Sequence, residues 1–284
     1  MIYVFGSNHL DGAEIPEIKA AFKNLGGGLH LGIELTSDAD TNEVLARIRN
    51  ADDKELRRII RKHYAGPPSN AYFNLLKLLS KDKGTVSEIF TIEKQISSRG
   101  DKRLSHLSTE AGQAWDQFET EMRAKGKKDP DKLLRFYHQL MKKTFDQCLY
   151  REKAMVKRID AHLKANPKCN LFIYCGYYHQ PYITAHLRRV RRRFTTRPFI
   201  AAKHVEDYVI AVRKLANKYY SKMTDVEKLE LGQGLLLDLL YFYLKERSIQ
   251  TDYKIVKQAM KGVSTLEQFG TAVQNFGTLA KKLA

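Results

Sequence analysis

The chain opens on Ile2-Tyr3-Val4-Phe5, a run of β-formers that Gly6 ends. Ile15, Ile18, Ala21, Phe22 and Leu25 then recur at helical spacing, with Pro16 at the start and Gly26-Gly27-Gly28 at the end, which predicts a helix over 15–25. Leu29-His30-Leu31-Gly32-Ile33-Glu34-Leu35 reads as a second strand, completing a β-α-β unit of crossover length. Leu45, Ile48, Leu56, Ile59 and Ile60 form the inner face of a helix over 40–63, stopped by Gly66-Pro67-Pro68. A helix from Tyr72 to Leu79 and a third strand over 86–92 follow. Residues 97–128 are polar, with a helical patch around Trp115, Phe118 and Met122, and read as an insertion or lid. Asp129-Pro130 starts a long helix whose apolar positions run from Leu133 to Leu163, ending at Asn166-Pro167. It leads into Leu171-Phe172-Ile173-Tyr174-Cys175, the most strand-like segment, and Arg197-Pro198-Phe199-Ile200-Ala201 suggests a further strand. Residues 204–284 read as helices, including 223–245 and a C-terminal pair.

Alternating strands and helices predict an α/β fold: a mostly parallel sheet covered by helices, with a helical insertion and a helical C-terminal region. The expected organisation is an α/β domain over 1–203, with 97–128 as its insertion, and a helical region over 204–284 packed on that domain.

Composition narrows the classes. At 43% hydrophobic and 29% charged residues the chain is globular in type. The longest apolar run, Leu235 to Leu244, contains Asp238 and is too short to span a bilayer. No signal peptide is recognisable at the start, so a cytoplasmic setting is expected, a delivered effector being the alternative. Cys148, Cys169 and Cys175 are odd in number and lack CxxC spacing, against a disulfide framework or zinc ribbon.

The formal net charge is +17, and residues 151–200 alone carry 12 basic and 2 acidic groups. Their centre is His186-Leu187-Arg188-Arg189-Val190-Arg191-Arg192-Arg193-Phe194. On a helix, Ile183, Leu187, Val190 and Phe194 would share an apolar stripe, with Arg188, Arg189, Arg191, Arg192 and Arg193 opposite it. Such a face is either a solvated surface or an anion-docking surface for nucleic acid or an anionic membrane.

The two clearest strands end alike. Phe5-Gly6-Ser7-Asn8-His9 and Cys175-Gly176-Tyr177-Tyr178-His179 both run strand, Gly, two residues, His. A third match, Gly27 to His30, precedes a strand instead and has the standing of a chance match. In a parallel sheet ligands bind beyond the carboxyl ends of the strands, and a glycine lets the chain turn sharply there. Neighbouring strands would bring His9 and His179 into one site, whereas a histidine in either loop alone reads as a cap or loop residue. Glu34, one residue from the end of its strand, can reach the same rim, and Arg151-Glu152 interrupts the apolar face of the long helix.

The order of these features resembles the TraB/ChaN/EreA superfamily of Tiki proteases, haem-binding ChaN proteins and erythromycin esterases. The match rests on Gly6-x-x-His9, the strand end Ile33-Glu34-Leu35, Arg151-Glu152-x-x-Met155 and Gly176-x-x-His179 followed by Leu187, over about residues 1–40 and 145–200. The resemblance implies two related β/α halves and a pocket where His9, Glu34, Arg151 and His179 converge as catalytic residues. Gly6, Gly176 and Tyr178 would line it toward a cofactor, with haem as one ligand and a divalent metal held by His9, Glu34 and His179 as another.

The chemistry of these residue types leaves two hydrolytic routes open. Two imidazoles and a carboxylate suit a divalent metal that lowers the pKa of bound water. Alternatively, a histidine oriented by Glu34 deprotonates water while Arg151 stabilises the oxyanion of an ester or amide. No Gly-x-Ser-x-Gly occurs and neither Cys148 nor Cys175 sits in a nucleophile motif, so a covalent serine or cysteine mechanism is disfavoured, and no P-loop or Gly-x-Gly-x-x-Gly is present. A haem-binding module without turnover, centred on Tyr174, Tyr177, Tyr178 and Tyr182, and an interaction protein docking through 188–193 are the competing readings. The local charge favours an anionic or polar substrate.

Overall fold

The computed structural model describes residues 1–7, 14–34, 46–49, 51–63, 70–82, 84–93, 101–123, 129–190, 194–198, 203–246 and 262–278. His9, Arg191, Arg192 and Arg193 lie outside the described residues. The chain divides into two units, Met1–Lys102 with Cys148–Glu206, and Arg103–Gln147 with Asp207–Ala284.

The first unit is α/β. Five parallel strands, β1 (Ile2–Ser7), β2 (Leu29–Ile33), β3 (Val86–Thr91), β4 (Asn170–Gly176) and β5 (Phe194–Pro198), lie in the order β3-β2-β4-β1-β5. Alternation along β1 and β4 divides the side chains between two faces. Phe5, Phe172 and Tyr174 pack on one face with Leu29, Leu31 and Ile33 and with the buried sides of α1 (Ile15–Leu25), α2 (Asp53–His63) and α3 (Asn70–Ser80). Tyr3, Phe172, Phe5 and Tyr174 stack in sequence across this face, with ring centroids 5.1, 6.0 and 6.1 Å apart. Ile2, Val4, Leu171, Ile173 and Cys175 point the other way, against Met155, Ile159 and Leu163 of α5 (Pro130–Ala165) and Ile183 and Leu187 of α6 (Gln180–Arg189).

The two strands that end in Gly-x-x-His are direct neighbours, with Gly6 opposite Cys175 and Ser7 opposite Gly176. The helix after β1 covers one face of the sheet and the helix after β4 the other. In such sheets the place where successive helices change face, at the carboxyl ends of adjacent strands, is where ligands bind. Ile33 at the end of β2 pairs with Tyr174 and with Thr91, so the ends of β2 and β3 continue the same rim.

The second unit is helical: α4 (Lys102–Arg123), the first half of α5, α7 (Lys203–Ala216), α8 (Asp225–Glu246) and α9 (Leu266–Gln274). Leu104, Ala114 and Phe118 are the buried face of α4, which makes 102–123 one continuous helix rather than a local patch. Asp238, which interrupts the apolar run of α8, accepts a 2.6 Å hydrogen bond from the Tyr137 hydroxyl. Thr265 caps α9 with a reciprocal capping box to Gln268, satisfying donors that a helix start leaves open. Among the described residues, no helix is long and apolar enough to cross a membrane.

Three local expectations are corrected. The helix expected over 40–63 is interrupted: residues 51 and 52 are not helical, and the Asp52 carboxylate accepts from the Glu55 backbone N–H at 2.8 Å, restarting the chain as α2. The arginine-rich helix ends at Arg189 instead of continuing to Phe194, because β5 begins at Phe194 and pairs it with Ile2. Its apolar stripe is thus Ile183 and Leu187, while Val190 is exposed. That same pairing places the fifth strand at 194–198, three residues before the stretch expected from 197–201. Tertiary hydrogen bonding to β1 outweighs the local helical pattern.

Candidate functional site

The rim of the first unit gathers charged groups from three strand ends and one helix. Glu34 follows β2, Glu93 follows β3, and His179 follows β4 through the Gly176 turn, which His179 closes by donating its backbone N–H to the Gly176 carbonyl at 2.9 Å. Arg151 and Glu152 come from α5, four and three residues before Met155 on the face that packs on the sheet.

Glu34, Glu93, Glu152 and His179 are all buried. His179 occupies the N-cap position of α6 without using its side chain to cap the helix. Its imidazole is held instead between two carboxylates, Nδ1 at 3.2 Å from Glu152 Oε1 and Nε2 at 3.4 Å from Glu34 Oε1. Glu34 accepts the Gly176 backbone N–H through Oε2, and its Oε1 lies 3.1 Å from Arg151 Nη2. Arg151 also donates Nε–H to Glu93. Burial works against the guanidinium charge, but Glu93 and Glu34 outweigh it and raise its pKa above the ordinary arginine value. Arg151 is a quarter exposed (25%), the carboxylates below it far less.

Glu34, Arg151 and His179, all expected at the site, meet there, and Gly176 is part of it. Gly6 contributes through its lack of a side chain, since a Cβ would fall 2.2 Å from Gln180 Oε1. Tyr178 packs on Tyr177, ring centroids 4.4 Å apart. Arg188 and Arg189 lie in the last turn of α6, about 15 Å along the helix from His179, so they flank the site at a distance and do not enter it.

Three participants were not singled out in the sequence as site residues. Glu152 orients His179, and the sequence marked it, with Arg151, only as a polar interruption of the helix's apolar face. Glu93 follows a strand just as Glu34 does, which is the one signal it carried. Gln180, 1% exposed, holds a buried side-chain amide nitrogen, Nε2, with no hydrogen-bond partner among the described residues. A buried donor left open is costly unless something else takes the bond.

A second buried cluster lies beside the first. Ser7 Oγ donates to Glu14 Oε1 and lies 2.7 Å from Tyr174 Oη, and Tyr174 donates to Glu14. Burial, with Glu14 adding to it, pushes the Tyr174 hydroxyl well above the usual phenol range, so it stays a proton donor. The Cys175 thiol is likewise pushed well up by burial and by Glu34 and Glu152, which makes it inert as a nucleophile.

The donor types fit a cation. Three carboxylates, those of Glu34, Glu93 and Glu152, gather here around one guanidinium and one imidazole. Glu34 and His179 Nε2 would hold the ion, with Glu152 steadying the ring from Nδ1 in the way outer carboxylates do for metal-bound histidines. No family model, no curated protein and no solved structure matches the chain.

Proposed function

We propose that this chain is a hydrolase of the TraB/ChaN/EreA type, which activates water at His179 for attack on an ester or amide. The observation that carries the reading is the buried imidazole between Glu152 and Glu34, used neither as a helix cap nor as a surface group. The order of motifs described above supports it further.

With its Nδ1–H directed to Glu152, the ring presents Nε2 toward Glu34, where a water would lose its proton to the imidazole. Glu34 is held in place by Gly176 N–H and Arg151. Arg151 is committed to two carboxylates, so its role is to fix them. The oxyanion falls instead to Gln180 Nε2, assisted by the positive end of α6. A divalent metal at Glu34 and His179 would supply the same function by lowering the pKa of bound water. The basic groups of 151–200 favour an anionic or polar substrate, drawn in by the field and not bound at the reacting atoms.

A panel of aryl esters, lactones and short peptides tests this, with wild-type protein and His179→Ala, each with and without chelator. Turnover abolished in His179→Ala is expected. Loss on chelation selects the metal-bound water, and retention selects the imidazole as base. Equal turnover in His179→Ala, or none on any substrate together with a Soret shift on adding hemin, overturns the hydrolase reading.

A further inference from the structure

At the opposite end of the sheet, where β2, β3 and β4 begin, a second group of metal-ligating side chains converges. His30 is the second residue of β2, and its Cα partner across the sheet is Glu88 of β3. Leu29, Leu31 and Ile33 face the aromatic side of the sheet, so His30 projects to the side that α5 covers. There it meets His162 from the last turn of α5 and Cys169 from the turn between α5 and β4. One ligand atom from each of His30, His162 and Cys169 lies within 4.8 Å of the others.

His30 Nδ1 is 2.9 Å from His162 Nε2 and 3.4 Å from Glu88 Oε2, while Glu88 Oε1 is 3.8 Å from His162 Nδ1. Phe90, two residues beyond Glu88, stacks flat on the His162 ring at 3.8 Å and 4°, which fixes its plane. All four donors sit on or beside regular elements, and packing holds the anchor points in place. The His30 and His162 side chains are 15% and 8% exposed and Glu88 34%, so an ion can reach the cluster from Glu88's side.

We propose that His30, His162, Cys169 and Glu88 form a structural site for a divalent transition metal of the zinc type. The converged ligands are His30 Nδ1, His162 Nε2 and Cys169 Sγ, and the partly exposed Glu88 side chain, whose Oε2 lies 3.4 Å from His30 Nδ1, turns in as the fourth. Two nitrogens, a sulfur and a carboxylate oxygen are the mixed donor set that zinc takes in four-coordinate sites, with bonds of about 2.0–2.3 Å. Such bonds separate two ligand nitrogens by about 3.3 Å. The imidazoles, at 2.9 Å, need to part by only a few tenths of an ångström.

On binding, the thiol loses its proton to solvent and the thiolate and carboxylate together cancel the charge of the ion. Four protein ligands leave no open position, so the ion ties the α5–β4 turn to β2 and β3 instead of activating water. This site lies at the amino ends of the strands and is independent of the hydrolase centre at their carboxyl ends.

The test uses the full-length protein, stripped of metal and titrated with cobalt(II). The expected result is one tetrahedral cobalt per chain at this site, marked by intense visible bands and a near-ultraviolet sulfur-to-cobalt charge-transfer band, whether or not a second ion binds at Glu34 and His179. Cys169→Ser removes the charge-transfer band, and His30→Gln or His162→Gln weakens uptake at least tenfold, with circular dichroism confirming that each variant is folded. Glu34→Gln and His179→Ala keep the charge-transfer band. No uptake, a weak octahedral spectrum, or a spectrum lost in Glu34→Gln and His179→Ala but kept in Cys169→Ser would overturn the assignment.

Discussion

Glu93 shows what a single buried charge does in this molecule. It is 2% exposed and its partner Arg151 is also shared with Glu34, so removing its charge leaves the guanidinium half-compensated in a poorly solvated place. Glu93→Gln is expected to lower the unfolding free energy by about 2–3 kcal/mol, read from a urea titration. Glu152 has a different duty. It touches His179 and would not touch the substrate, so Glu152→Gln is expected to reduce turnover by about 10- to 100-fold with little change in KM. A drop in stability with unchanged turnover would return Glu152 to a purely structural role. His138 carries a pH dependence. Burial lowers its pKa below the ordinary imidazole value of 6.5, against the Leu215 and Lys218 carbonyls, with Lys142 adding to the lowering. Below that value the unfolded chain takes up a proton that the native imidazole refuses, so this contribution to stability is complete above 6.5 and is lost as the pH falls toward the folded pKa. Urea midpoints at about pH 7.5 and about pH 5.5 should therefore fall further in wild type than in His138→Gln.

At the level of elements, close packing decides which residues are replaceable. Gly232 in α8 meets Phe269 of α9 so closely that a Cβ would lie 2.9 Å from the ring, and Phe269 is fully buried. Gly232→Ala gains about 1 kcal/mol of helix propensity but is opposed by about 1–3 kcal/mol of overpacking, so a net loss near 1 kcal/mol is expected in a denaturant titration. A stabilised Gly232→Ala would mean that the α8–α9 contact is loose. The same logic explains two sequence signals that were read differently. Asp238 looked like a break in an apolar run, and it is the acceptor for Tyr137. Phe194 fitted the apolar spacing of a helix, and it is the first residue of an edge strand.

For the whole molecule, the charge of +17 is a standing repulsion among surface groups. Added salt screens it, so the thermal midpoint should rise as ionic strength goes from about 0.01 M to about 0.15 M. A midpoint that falls would show that attractive ion pairs such as Lys77–Asp53 and Lys143–Glu110 outweigh the repulsion.

Local chemistry was enough to place most elements. The glycine stops around α1, Asp129-Pro130 at the start of α5 and the β-branched and aromatic runs of β1 and β4 act within a few residues of themselves. The shared Gly-x-x-His pattern likewise falls on strands that prove to be neighbours, Gly6 lying opposite Cys175 and Ser7 opposite Gly176. What is non-local was not legible. Strand order, the end of α6 at Arg189 and the restart of α2 at Asp52 depend on partners distant in the chain or on a competing cap. The site divides the same way: Glu34, Arg151 and His179 announce themselves as polar residues in apolar settings. Glu93 beside Arg151 and His30 beside His162 are separated by 58 and 132 residues. Only the packing of α5 across the sheet brings them into reach, because a buried charge or imidazole is satisfied by whatever the fold places next to it.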